Sequence, residues 1–536
     1  ALGNANLFLL NPAGIVFGPN AQLNIGGSFL GSTANSFIFD NGFEFSATDL
    51  QAPPLLTINI PNGLRFRDNP GSITNQSNQS TAVDSSGNPV GLQVPSGNSL
   101  VLVGGDINSD GGRLTALGGR VELGGLAGAG TVGLDVTGNT FKLNFSSDSS
   151  LSNITLANDA RVSVRGNGGG DIAVNTNNFS ATNGGRLVAG TEGEGNAGDI
   201  TVNANNFNIS GVGQSGVEAG VFNQTLDGAS GNAGNIFINT KSFNGSSGAG
   251  VTNNVLTGAT GDGGNINITT GSFSLTDGAQ LSASTFGQGN AGNVLVQASD
   301  SVELAGSNTG ILSTVGAGGV GNGGNININA ASLSLKDGAQ LLTIVRQASD
   351  TQPAGKGDAG NVTVDVTGKV TIAGVKDGFS SAIFSSVGTG ATGNGGNITI
   401  SSGSFSLTDG AQLSASTFGQ GNAGNVSVRA SDSVELVYGD IFSTVGAGGV
   451  GKGGNIDIQG ASLSLKDGAQ VQTSVLRASD TQPAGRGDAG NVTVDVTGNV
   501  TMLESRTDFP VGFAASWERG RRVMGEILVF PLAPSP

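Results

Sequence analysis

The chain of 536 residues contains no cysteine and no histidine, and it has one tryptophan and one tyrosine. Without histidine it can form neither a Ser-His-Asp nor a Cys-His catalytic relay, and it has no imidazole ligand for zinc. Without cysteine it has no disulfide framework, thiolate nucleophile or thiolate metal site. These absences predict a protein that is not an enzyme and that carries neither a metal ion nor another cofactor.

Charge is also scarce. Charged residues make up 12% of the chain and the formal net charge is −16, whereas about 25% is typical of soluble domains. An acidic chain without clusters of basic and aromatic residues repels phosphates, so no nucleic-acid partner is expected. The sequence has no apolar run of about 18 residues, so no membrane span is expected.

Glycine, in contrast, is abundant, with 94 residues, and much of it lies in the phrase Gly-x-x-Gly-[Asn/Asp]-[Ile/Val]. This phrase or a close variant occurs eleven times between Asp171 and Val492, at intervals of 28 to 36 residues. On a larger scale, Gly271–Leu304 recurs almost unchanged at Gly403–Leu436, 132 residues later. Repeats of this length predict a solenoid, whose coils bury their apolar faces only against neighbouring coils.

Within a repeat, polar and apolar residues alternate, as in Asn325–Asn329 and Leu333–Leu335. A period of two predicts strands, and Asp-Gly pairs such as Asp337-Gly338 predict the turns between them. Helical periodicity with caps is missing before about Thr501. Three short strands and three turns in each repeat predict one coil of a parallel β-helix, and therefore an all-β protein.

The asparagine after the second glycine of the phrase recurs once in each predicted coil. Stacked copies can hydrogen-bond through their side-chain amides, which predicts a structural ladder along the coils. The ladder residues are Asn235, Asn265, Asn293, Asn325, Asn361, Asn397, Asn425, Asn455 and Asn491. The aspartate of each Asp-Gly pair could instead line a calcium-binding edge, but the nonapeptide calcium motif is not reproduced, so no metal site is predicted.

Two repeats are lengthened by nearly identical segments, ASDTQPAGKGDAGN at 348–361 and ASDTQPAGRGDAGN at 478–491. The Arg-Gly-Asp sequence of the second copy is interpreted as a Lys/Arg exchange between repeats. A lengthened corner of a solenoid coil often presents a binding surface.

The segment Leu7–Phe29 is not repeated, and it contains two apolar stretches separated by a turn sequence. Proline fixes φ and glycine accepts positive φ, so this sequence predicts a β-turn between two strands. The turn reads Asn11-Pro12-Ala13-Gly14-Ile15.

This turn resembles the Asn-Pro-Asn-Gly-Ile signature of the secretion domain in filamentous haemagglutinin-like exoproteins of two-partner secretion. Four of the five residues match, and Ala13 stands where asparagine is usual. Three further segments resemble the cyanobacterial branch of that family: Gly26–Ala34, Phe45–Thr48 and Gly118–Gly124.

The resemblance implies a right-handed parallel β-helix that crosses the periplasm unfolded. It also implies recognition by an outer-membrane β-barrel two-partner transporter, in which the Asn11–Ile15 turn supports recognition or nucleation. The expected location is the extracellular space or the outer-membrane surface of a Gram-negative-type bacterium. A cell-surface receptor or glycan is a further candidate partner.

The sequence predicts three segments: a truncated secretion domain at 1–145, a repeat β-helix at 146–500 and an out-of-register tail at 501–536. Truncation is expected because the chain opens inside a strand-like motif and lacks the upstream Asn-Pro-Asn-Leu signature. In the tail, codons for the repeat sequence at Val387–Gly396 can spell Trp517–Gly525 when they are read in a shifted frame. The tail is therefore interpreted as a frameshifted repeat in which Ile527 occupies the position of the repeat asparagine.

Three classes of function follow from these features. The first is a secreted, adhesin-like surface exoprotein with the repeats as a passive stalk. The second is the shaft of a contact-dependent growth inhibition toxin whose effector is missing. The third, a β-helix polysaccharide lyase or hydrolase, is disfavoured because such an enzyme needs clustered carboxylates or basic residues beside aromatic platforms.

Overall fold

The structure, a computed structural model, describes residues 3–40, 42–49, 60–78, 82–84, 87–503, 511–517 and 528–529. The described residues contain strands and turns but no helix. The chain divides into two compact units, Ala1–Val251 and Thr252–Pro536.

The strands are short, and most have three to six residues. The first twenty-three are β1 (Leu7–Leu10), β2 (Ile15–Phe17), β3 (Phe29–Ser32), β4 (Ser36–Ile38), β5 (Glu44–Ser46), β6 (Gly63–Phe66), β7 (Ile73–Asn75), β8 (Leu92–Gln93), β9 (Ser99–Gly104), β10 (Ile107–Asp110), β11 (Arg113–Thr115), β12 (Arg120–Gly125), β13 (Gly130–Thr137), β14 (Thr140–Asn144), β15 (Ile154–Ala157), β16 (Arg161–Ser163), β17 (Asp171–Thr182), β18 (Arg186–Thr191), β19 (Ile200–Ser210), β20 (Gly220–Thr225), β21 (Ile236–Asn239), β22 (Ser242–Ser246) and β23 (Gly250–Thr252).

The later strands repeat this pattern with greater regularity. They are β24 (Ile266–Thr270), β25 (Ser272–Thr276), β26 (Gln280–Ser282), β27 (Val294–Ala298), β28 (Ser301–Ala305), β29 (Gly310–Leu312), β30 (Ile326–Ala330), β31 (Ser332–Lys336), β32 (Gln340–Leu342), β33 (Val362–Val366), β34 (Lys369–Ala373), β35 (Val375–Lys376), β36 (Phe379–Ser380), β37 (Ala382–Phe384), β38 (Ile398–Thr408), β39 (Gln412–Ser414), β40 (Val426–Val437), β41 (Asp440–Phe442), β42 (Ile456–Lys466), β43 (Gln470–Val475), β44 (Val492–Val496), β45 (Val500–Leu503), β46 (Gly512–Trp517) and β47 (Leu528–Val529).

The second unit consists of parallel coils stacked in register. Alternating side chains point inward, and equivalent ones lie above one another in each coil. One inward row contains Ile266, Val294, Ile326, Val362, Ile398, Val426, Ile456 and Val492, all of them buried. The all-β parallel β-helix predicted from the period of two is thereby confirmed.

The Asp-Gly pairs form the turns between the second and third strands of their coils. Asp277 has a φ of 51° and Gly278 a φ of 82°, and the equivalent pairs Asp337-Gly338, Asp409-Gly410 and Asp467-Gly468 have the same signs. Aspartate tolerates this left-handed region better than most residues, and glycine enters it at no steric cost. The turn residues read from the sequence therefore act through their backbone conformation.

The two glycines of the repeated phrase are required because successive coils approach each other closely there. A Cβ atom on Gly292 would lie 1.9 Å from the carbonyl oxygen of Gly264, and one on Gly289 would lie 2.1 Å from that of Gly261. Both distances are far below van der Waals contact. The phrase thus marks two positions in each coil at which only a residue without a side chain permits stacking.

The first unit combines parallel coils with a second, antiparallel sheet. In the parallel part, β1, β3, β9, β12 and β17 pair in that order. The antiparallel sheet has the order β14, β13, β6, β4, β5. Strands β4 to β6 follow β3 and strands β13 and β14 follow β12, so the chain departs from the parallel coils at two points. The sequence periodicity did not predict this sheet.

A second hydrophobic core lies between the antiparallel sheet and the outer face of the coils. It contains Val101 and Val103 of β9, together with Phe37, Leu64 and other buried side chains of the antiparallel strands. All six residues of β9 are buried, because both faces of this strand are covered. This explains why β9 reads as the nearly continuous apolar run SLVLVG rather than as an alternating pattern.

Candidate functional site

The Asn11–Ile15 turn joins β1 to β2 in the first unit. The Gly14 N–H donates to the Asn11 carbonyl oxygen at 3.1 Å, which closes a β-turn. The Ala13 N–H donates to the Asn11 side-chain oxygen at 3.3 Å, as in an Asx-turn. Pro12 occupies the position where a fixed φ favours such a turn. The sequence therefore specifies this turn through local hydrogen bonds and backbone restriction.

The turn is anchored on the coil below it through its main chain. The Ile15 N–H donates to the Ser72 carbonyl oxygen at 3.0 Å. Gly14 has a φ of 120°, and a Cβ atom on Gly71 would lie 2.6 Å from the Gly14 nitrogen. Ile15 is buried, whereas the side chains of Asn11 and Ala13 are exposed. An anchored backbone with the exposed side chains of Asn11 and Ala13 presents a fixed shape to a partner.

The Gly118–Gly124 segment contains most of β12, which pairs with β9 on one side and with the first repeat strand, β17, on the other. Arg120 Nε contacts Glu122 at 2.6 Å, and Arg120 Nη1 contacts Asp171 at 2.7 Å. Burial raises the pKa of the Glu122 carboxyl, and the Arg120 charge and the Leu143 N–H oppose that rise. Arg120 thus links β12 to β17, whose first residue, Asp171, ends the first Gly-x-x-Gly phrase.

The structure places the repeat asparagines in vertical stacks. In the second unit each asparagine side-chain oxygen accepts the backbone N–H of the next copy at 2.8–2.9 Å, from Asn265 to Asn491. In the first unit, Asp171 accepts from Asp199, and Asp199 accepts from Asn235 at 2.7 Å. The polar groups of these side chains serve contacts between coils.

A second polar stack lies three residues earlier and was missed by the sequence analysis. Here too each side-chain oxygen accepts the backbone N–H of the next copy, at 2.7–3.0 Å. The accepting side chains in the second unit are Asp262, Asn290, Asn322, Asp358, Asn394 and Asn422, and the last of them accepts the backbone N–H of Lys452. The signal was present in the phrase itself, since its second residue is usually Asn or Asp.

Substituting Asn361 with alanine is expected to destabilise the second unit by about 1 kcal/mol, because the Asn397 N–H loses its acceptor and the Asn325 side-chain oxygen loses an amide donor. Asn361→Asp retains an acceptor oxygen, as Asp199 does in the first unit, and we expect a smaller loss. Urea unfolding followed by circular dichroism measures both variants. Equal losses would contradict a ladder based on acceptor oxygens.

Three arginines lie above one another in successive coils, two of them buried and Arg113 half-buried, and their irregular sequence spacing did not predict this cluster. Arg113, Arg161 and Arg186 lie in register on β11, β16 and β18. Arg161 pairs with Asp84, and Arg186 lies 3.7 Å from Asp159. Burial, followed by repulsion from Arg161 and Arg113, lowers the pKa of Arg186 to about 10. Arg186 therefore keeps its positive charge at neutral pH.

Comparison with known families identifies the first part of the chain. Residues 1–174 match the family model of the TPS secretion domain. They are therefore assigned to the secretion module of two-partner secretion, which contains both the Asn11–Ile15 turn and the antiparallel sheet. No curated protein and no solved structure matches the chain.

The TPS secretion domain supports export by two-partner secretion and implies an outer-membrane transporter of the TpsB type as partner. The match covers 174 of the 536 residues. In the described ranges, no helix has the length and apolarity needed to cross a membrane. Within the same ranges, no group of three or more Asp or Glu residues is arranged to hold a metal ion.

The predicted segment boundaries at 145 and 500 remain predictions. In the tail, β46 pairs with β43 and β47 pairs with β44, so parts of 501–536 continue the parallel stacking. Most of the proposed frameshifted sequence, including Ile527, lies outside the described residues. The frameshift hypothesis therefore rests on the sequence alone.

Proposed function

We propose that this chain is a filamentous haemagglutinin-like adhesin, in which the TPS secretion domain directs export and the repeats form a passive β-helical stalk at the cell surface. The observation that carries the proposal is the combination of a TPS secretion domain with repeats whose recurrent Asn and Asp side chains bind the next coil. Such repeats add length and surface without requiring conserved chemistry in each coil.

The proposal includes the absence of enzymatic activity. The recurrent acids of the repeats have structural positions: Asp277 and Asp337 lie in turns at positive φ, and Asp358 belongs to the second polar stack. Acid–base catalysis of glycoside or polysaccharide cleavage requires paired carboxylates aimed at one bond. The carboxylates of the repeats are instead distributed along the turns and stacks, which supports a structural role over a catalytic one.

Adhesion can be tested by expressing the chain behind a signal peptide in cells that carry its TpsB-type transporter. Surface display is measured with an antibody on intact cells, and adhesion by erythrocyte agglutination and by cell–cell aggregation. We expect both adhesion readouts to rise with display and to be absent in cells that contain the transporter alone. Full display without any adhesion would refute the adhesin and leave the toxin shaft as the alternative.

A further inference from the structure

An uncharged groove lies on the outer face of the third strands of the second unit. It crosses β37, β39, β41 and β43, so its length is about 14 Å at the usual strand spacing. Its volume is about 530 Å³. The twelve lining residues comprise three Phe, three Gln, four Ser or Thr, one Ile and one Leu, and none of them carries a charge.

The floor of the groove alternates aromatic and polar side chains along the stacking direction. The strand register places Phe384, Ser414, Phe442 and Gln472 in one row. Phe384 and Phe442 are half-buried, so each ring keeps an accessible face. The small Ser414 between them, which is buried, leaves a gap one coil wide. This row offers two apolar platforms separated by a recess.

One wall of the groove is formed by Phe418. A Cβ atom on Gly446 would lie 2.1 Å from the Phe418 ring, so the ring extends over the backbone of the next coil. Phe418 remains 37% exposed, and Leu476 at the equivalent position two coils later is equally exposed. The adjoining cavity shares Phe418 and is bordered by the lengthened corner segment that contains Asp350.

Among the described residues, the side-chain amides of Gln412 and Gln470 at the groove lack the main-chain acceptors that the equivalent glutamines of other coils use. Gln280 and Gln340 donate through Nε2 to main-chain carbonyl oxygens at 2.8 and 3.1 Å. For Gln412 and Gln470, the described part of the chain supplies no such acceptor. Two amides and several hydroxyls beside aromatic rings can bind a ligand that carries both C–H faces and hydroxyl groups.

The acid nearest to these amides is Asp440, which the register places between Gln412 and Gln470. Burial raises the pKa of the Asp440 carboxyl to about 6, opposed by the Gln470 N–H. At neutral pH this carboxylate and the net charge of −16 disfavour an anionic ligand. The charge distribution therefore favours a neutral ligand.

We infer that this groove binds a segment of a neutral polysaccharide, whose sugar rings lie on Phe384, Phe442 and Phe418 and whose hydroxyls contact Gln412 and Gln470. The inference rests on the proposed adhesin function, because it names the class of ligand that the adhesin binds. Its test uses the purified chain, so a failure of cell adhesion and a failure of polysaccharide binding remain distinguishable.

The experiment is affinity gel electrophoresis of the full chain in hydroxyethylcellulose, galactomannan, dextran and the anionic polymer alginate. We expect at least one neutral polymer to retard the chain and alginate to bind at least about tenfold more weakly, equivalent to about 1.4 kcal/mol. Phe418→Ala and Phe442→Ala are each expected to weaken binding about tenfold.

The chain itself offers matched controls. Leu312 occupies the position of Phe442 in the sister coil of the internal duplication. Phe442→Leu should therefore retain folding, checked by circular dichroism, while weakening binding severalfold, and Leu312→Ala should bind like the unmodified chain. The inference is overturned if no neutral polymer binds, if alginate binds equally well, or if both Phe418→Ala and Phe442→Ala bind normally. Binding of an extended peptide or an acyl chain in place of polysaccharide would overturn it as well.

Discussion

Replacing Gly396 with alanine is expected to destabilise the second unit by about 3 kcal/mol or more. A Cβ atom at this position would lie 2.0 Å from the Gly360 carbonyl oxygen and 2.5 Å from its carbonyl carbon. These atoms belong to the backbone of the preceding coil, which cannot move aside without breaking the parallel hydrogen bonds on both sides. The coil must therefore separate from its neighbour at this corner.

The adjacent residue supplies the control. Gly395 precedes Gly396 directly, and the equivalent positions of the neighbouring coils are occupied by Ala359 and Ala423. A Cβ atom on Gly395 would lie 3.0 Å from the Gly424 nitrogen, a far looser approach than at Gly396. Gly395→Ala is therefore expected to change stability by no more than about 1 kcal/mol. Because a solenoid can unfold locally, hydrogen exchange of the affected coils should accompany urea unfolding. Similar effects of the two substitutions would contradict the close backbone approach.

The double substitution Asn11→Ala and Pro12→Ala is expected to reduce export through the transporter about tenfold or more, while the folded chain keeps its stability within about 1 kcal/mol. The side chain of Asn11 is exposed and makes only a local contact to Ala13 at 3.3 Å, so little packing is lost. Loss of an exposed recognition group typically weakens binding by 1–2 kcal/mol, or roughly ten- to thirtyfold.

Export is measured as the ratio of secreted to cell-associated chain in cells that carry the transporter. Pro19→Ala with Asn20→Ala is the matched control, because Asn20 is also exposed and also lies in a turn of the first unit. A second comparison, Gly71→Ala, disturbs the support beneath the turn, where its Cβ atom would lie 2.6 Å from the Gly14 nitrogen. Export of the Asn11 and Pro12 variant at the normal level would remove this turn from the recognition surface.

Residues close in sequence allowed prediction of the repeat architecture. The alternation in Asn325–Asn329 and the Asp337-Gly338 turn are local signals, and their recurrence implied stacking. The asparagine positions followed because equivalent residues of identical coils must lie above one another. The resemblance of the Asn11–Ile15 turn added the secretion system, and the TPS match at 1–174 agrees with it.

Other features depended on contacts between distant segments. The antiparallel sheet pairs β6 with β13, which lie far apart in the chain, and no local period encodes that pairing. The arginine cluster joins strands whose sequence spacing is irregular. The groove depends on the register that aligns Phe384 with Phe442, although each lies in a different repeat.

The sequence by itself determined the period, the turns and the stacked asparagines, because a solenoid coil contacts mainly its immediate neighbours and its rules are therefore local. Only the tertiary structure decided why both glycines of the repeated phrase are needed, since their reason is the carbonyl oxygen of the preceding coil about 2 Å from a Cβ atom, as at Gly396. The tertiary structure also decided which aromatic rings and glutamine amides lie together on one face. Their positions depend on the strand register across coils and not on proximity along the chain.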